Sequence, residues 1–139
     1  MRTITQHTCL QIGAVICAAS LLSGCSSKPP ACSDGKTLEL ARKILAKQFM
    51  GSSYKGEDIS DVLVFESARA SNYEEAIKKY TCEAKLIVNA KVEAPIAYTS
   101  QVTETKEHVV AVQRYTGNDF LSLAGNFMTG VARKREKAQ

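Results

Sequence analysis

The sequence predicts an α+β fold, with an N-terminal amphipathic helix packed on a four-stranded antiparallel sheet and a second helix closing the chain. Three observations carry this. Leu38, Ala41, Leu45 and Phe49 recur at helical spacing, with Ile44 beside them. From Tyr80 the chain alternates strictly, with Tyr80, Cys82, Ala84, Leu86, Val88, Ala90 and Val92 on one face. Helical spacing then returns in Phe120, Leu123, Ala124, Phe127, Met128 and Val131.

The first helix begins near Lys36, where Ser33 or Asp34 is placed to cap it, and Met50-Gly51-Ser52-Ser53 ends it. Residues 52–60 are mostly polar, carry Gly56 and read as a loop. Asp61 to Arg69 is β-branched and aromatic and reads as the first strand. Ser71-Asn72 marks a turn. A helical or turn segment follows from Tyr73 to Lys78, and then the long alternating strand. A helix is the competing reading there, because Tyr73, Ile77, Tyr80, Ala84 and Ile87 also fit a 3.6 period. The length of the alternation decides for the strand.

Pro95 separates that strand from Ile96–Thr103. The polar link Glu104–Glu107 joins this to His108–Tyr115, and the two strands read as a hairpin. Gly117 closes it, and Asn118 or Asp119 is placed to cap the last helix. If that helix covers the sheet, its stripe is core; if not, Phe120, Phe127 and Met128 form an apolar contact surface. Sheet edges offer a second surface, by strand addition.

The first residues are of another kind. Arg2 supplies a positive charge, Leu10 to Leu22 forms a 13-residue apolar stretch, and Leu22-Ser23-Gly24-Cys25 brings small residues up to a cysteine. The stretch is too short to span a bilayer, which needs about 20 apolar residues. Residues 22–25 resemble the lipobox of bacterial lipoproteins. The resemblance covers residues 1–25 and implies a signal peptide at 1–24, removed after Gly24. It also implies a diacylglyceryl thioether on Cys25, with acylation of the new amine. Ser26 implies an outer-membrane destination on the periplasmic side, where an Asp would imply the inner membrane. The competing readings are a signal cut at another small residue, releasing a soluble protein, and an uncleaved anchor.

Loss of Arg2 with the leader lowers the formal charge from +4 to +3 over 115 residues, which is no nucleic-acid signature. Of five cysteines, Cys9 and Cys17 fall in the leader and Cys25 takes the lipid. Cys32 and Cys82 remain, an even pair in a compartment that permits a disulfide. A metal site would want more ligands than one His without a CxxC pair provides, and a catalytic thiol would want an adjacent base. The expected organisation is a leader at 1–24, a lipidated tether at 25–33 stiffened by Lys28-Pro29-Pro30, and a single domain at 34–139. The element order and the cysteine pair resemble small cystatin-like envelope lipoproteins.

No catalytic residue, metal ligand or cofactor is nominated. Glu57, Asp58 and Asp61 match no calcium-loop spacing and read as a solvated acidic loop. His108 has no partner that spacing can name. Arg133-Lys134-Arg135-Glu136-Lys137 suits a helix C-terminus better than a lipid-binding cluster. The function implied is that of a non-enzymatic binding module, held to the membrane by its lipid and meeting another envelope protein. The alternatives are an inhibitor or immunity protein against a peptidoglycan hydrolase, and an accessory subunit of an envelope assembly.

Overall fold

The computed structural model describes residues 28–139. Helix α1 (Gly35–Met50) starts where Asp34 accepts from the Lys36 amide at 2.9 Å, so the capping expectation holds. Its buried face is Thr37, Ala41, Leu45, Ala46 and Phe49. Gly51, at φ 56°, ends it.

Four strands follow as an antiparallel meander, ordered β1 (Leu63–Glu74), β2 (Lys79–Val88), β3 (Val92–Val102) and β4 (His108–Val112). Strand β1 runs five residues past the expected Arg69. Two bulges absorb the extra chain, between Glu66 and Arg69 and between Ala70 and Asn72, with Ser67 at φ 54°. Ser71-Asn72 is therefore part of a bulge and not a turn. The β1–β2 link is a short 3-10 turn at Glu75–Ile77 with Lys78 in the left-handed region.

The expected second strand was too long at its far end. The chain turns at Asn89-Ala90, both left-handed, and Val88 pairs with Val92. A three-residue connection between paired residues preserves the odd–even parity, so the alternation passes through the turn unbroken. Pro95 lies inside β3 and separates nothing. Its carbonyl accepts from the Tyr115 hydroxyl at 2.8 Å, on the side away from β2. The missing N–H faces that side too, where β4 has ended at Val112, so no ladder bond is lost.

Helix α2 (Gly117–Lys137) closes the chain. Thr116 is its N-cap, without a side-chain cap bond, where Asn118 or Asp119 was expected. Both helices pack on the inner sheet face around one core that includes Leu45, Phe49, Leu63, Leu86, Tyr98, Leu123 and Phe127. The Phe49 ring meets Phe127 at 5.5 Å and Phe120 at 5.9 Å. The outer sheet face is solvated and crossed by ion pairs: Lys85 with Glu66, Lys79 with Glu74, and Arg69 with Glu83.

Candidate functional site

Cys25 lies outside the described residues, which begin at Lys28. Cys32 and Cys82 form a disulfide, with Cα atoms 5.6 Å apart, both buried. The Tyr98 hydroxyl donates to the Cys32 carbonyl at 2.8 Å, and burial pushes that phenol up to about 12. The Ser100 hydroxyl donates to the Pro30 carbonyl at 2.8 Å. Pro29 is buried, and the Lys28 ammonium sits 5.6 Å from the centre of the Tyr73 ring. Residues 28–33 were expected to be tether. They instead form a strap laid on the inner face of the sheet, because proline carbonyls still accept hydrogen bonds and proline rings still gain by burial.

His108 has a partner that spacing alone did not name. Its Nε2 lies 2.9 Å from the Ser100 Oγ and 3.5 Å from the Thr37 Oγ1. The register places Val102 opposite His108 and Ser100 opposite Val110, so Ser100 and His108 are diagonal neighbours on one face. The single Ser100 proton goes to Pro30, so the imidazole donates from Nε2. Burial holds the ring below its ordinary value, with Asp34 opposing and Lys36 reinforcing that shift. Ser100 is fully buried. The Ser100 hydroxyl thus spends its hydrogen bonds on Pro30 and His108, and the pair fastens the strap.

The acidic loop and the basic tail answer each other. Lys134 reaches Asp61 at 2.5 Å and the Asp58 carbonyl at 2.5 Å, while Arg135 pairs with Glu57 and donates to the Ser53 carbonyl at 3.1 Å. Arg133 donates to Asn89 at 2.6 Å. The Lys134 hydrogen bond holds the Asp61 carboxyl below its usual range. At Glu57 burial pushes upward, but the Arg135 hydrogen bond and two backbone bonds leave it lowered. These cations latch the end of α2 to the loop before β1. Among the described residues no cluster of three or more metal-ligating side chains occurs.

No family model, no curated protein and no solved structure matches this chain.

Among the described residues, two of the four exposed large apolar side chains lie on α2, and Ile77 and Val109 are the other two. Phe127 is fully buried and Phe120 half-buried against the core, so the aromatic members of the stripe follow the core reading and not the contact-surface alternative. Met128 is 47% exposed and Leu121 67% exposed. They stand seven residues apart on one helix face, with Gly125 and Ala132, both exposed, at the same spacing family. Leu121 was not singled out from the sequence, since it sits one residue off the core stripe. Among the described residues no helix is long and apolar enough to cross a membrane.

Proposed function

We propose that this chain is a lipid-anchored lipoprotein of the bacterial envelope whose domain acts as a non-enzymatic binding module on another envelope component. The strap is the observation that carries the reading. If Cys25 bears the lipid, only Ser26 and Ser27 separate it from Lys28, where the packed structure is already under way. Two or three acyl chains, at about 0.8 kcal/mol for each buried methylene, hold such a chain stably at a membrane. A domain so closely attached works by what it touches within reach. The outer membrane, on its periplasmic side, is the favoured location because Ser26 follows the cysteine.

The reactive side chains support binding over catalysis. His108 and Ser100 are spent on the strap, and Glu57, Asp58 and Asp61 on the α2 latch. Photo-crosslinking amino acids placed at Leu121 and Met128 in living cells test the proposal. A discrete adduct with one envelope protein is the expected result. Hydrolytic turnover by the purified protein, abolished by one point change, overturns it.

A further inference from the structure

The strap has a direction, and the direction selects an end of the molecule. Cys32 lies beside Tyr98 and Cys82, and Pro30 beside Ser100. Lys28 lies over Tyr73, which pairs with Tyr80, itself opposite Ser100. Traced from Cys32 back to Lys28, the chain steps from the Cys82–Tyr98 row to the Tyr80–Ser100 row, toward the β1–β2 turn, and then crosses the inner face from β3 to β1. Only Ser26 and Ser27 lie between Lys28 and Cys25, so the three Cα–Cα steps reach at most about 11 Å. Helix α2 is seated at the other end, where Gly130 abuts Val62 and Asn89 and where Leu123 lies beside Val92 and Ala94. From Ser100, where the strap lies, to Val92 is eight residues of strand, roughly 26 Å. A lipid on Cys25 cannot reach that end.

We infer that the domain rests on its own membrane by the end built from the Glu75–Ile77 turn and the β3–β4 turn, with Ile77 against the lipid surface and α2 directed away. This rests on the lipid-anchor reading above. Ile77 is 44% exposed, an apolar side chain at the tip of a polar turn. Lys78 and Val102 lie beside it, tied by the Val102 amide donating to the Lys78 carbonyl at 3.4 Å. Lys78 and Lys106 line a cleft of about 340 Å³ between the two turns. Lys28, Lys78, Lys79 and Lys106 at this end are matched by Glu74, Glu75, Glu104 and Glu107. The balance means that the tether, and not attraction to anionic lipid, sets the contact, so the orientation survives high salt. The partner surface of α2 then faces the space beyond the membrane.

The chain contains no tryptophan, so a single introduced one is an unambiguous probe. Ile77→Trp and Met128→Trp are made separately in the full chain, and the mature protein is purified from membranes. Each is reconstituted in phosphatidylethanolamine–phosphatidylglycerol vesicles carrying some acyl-brominated phospholipid. The expected result is a blue-shifted emission at 77, quenched several-fold more than that at 128, in low and high salt alike. Equal quenching at the two positions, or stronger quenching at 128, overturns the orientation while leaving the anchor intact. Mature protein whose mass shows no acyl chains overturns both.

Discussion

Removing the Cys32–Cys82 bridge by a double Cys→Ser change should cost this fold a large share of its stability. The two residues are 50 apart in sequence. Releasing a loop of that size in the unfolded chain restores about 14 cal/mol/K, or about 4 kcal/mol at 25 °C as an upper figure. For a domain of this length that corresponds to a fall in Tm of roughly 15 to 20 °C. Most natural domains have only about 5 to 15 kcal/mol to lose, so the variant should fold but sit near its limit. Urea unfolding of the mature chain carrying Cys25→Ser, with and without the double change, measures this. The dependence on denaturant should also steepen, because the released chain exposes more surface when unfolded. Tyr98→Phe provides an independent check on the strap. It leaves the buried Cys32 carbonyl without its donor, at about 1 to 3 kcal/mol, and should cost less in the double variant, where the strap is free to lift. A loss below about 1 kcal/mol on removing the bridge would refute the loop-closure reasoning.

Phe127→Ala should cost about 3 to 5 kcal/mol, because the ring is fully buried against Phe49, while Leu121→Ala on the exposed face should stay within about 0.5 kcal/mol. Chemical denaturation of both variants separates core from contact surface. Gly130→Ala should destabilise the protein although alanine is the better helix former by about 1 kcal/mol. Its Cβ would meet the Val62 Cγ1 at 2.7 Å and Asn89 at 3.1 Å; a raised Tm would contradict that packing. His108 predicts a pH effect. Its folded-state pKa lies below the ordinary 6.5, so the folded protein binds this proton less readily than the unfolded chain does. Its contribution is therefore complete above about 6.5 and is lost as the pH falls through the lower folded value. His108→Gln should flatten the stability profile between that pH and the carboxylate range, where Asp58 and Asp61 take over; an unchanged profile would count against a half-buried imidazole held neutral.

Much of the architecture is written in local patterns, and what is not depends on register. Helix α1 is legible because cap, period and terminating glycine agree. The four antiparallel strands are legible as elements, but the ends of β1, β2 and β4 and the start of β3 are not. Parity carries the β2 pattern across Asn89-Ala90 into β3, and the β1 bulges turn an apparent turn at Ser71-Asn72 into continuing strand. The disulfide follows from counting cysteines. The Ser100–His108 pair does not, because it needs the β3–β4 register. The Lys134 and Arg135 partners lie more than 70 residues away in sequence, so loop and tail look independent until α2 is docked. Lys28-Pro29-Pro30 has the composition of a stiff spacer, and only the carbonyl partners on β3 reveal it as a strap. The face of α2 divides between core and solvent one residue away from where the apolar stripe alone puts the boundary.

The central claim is that Cys25 carries the lipid that holds this strapped domain at the membrane. Intact-mass and peptide mass spectrometry of the protein purified from cell membranes tests it most directly. The account predicts an N-terminus at Cys25 bearing a diacylglyceryl thioether. A mature chain that begins elsewhere, or an unmodified Cys25 thiol, would contradict it.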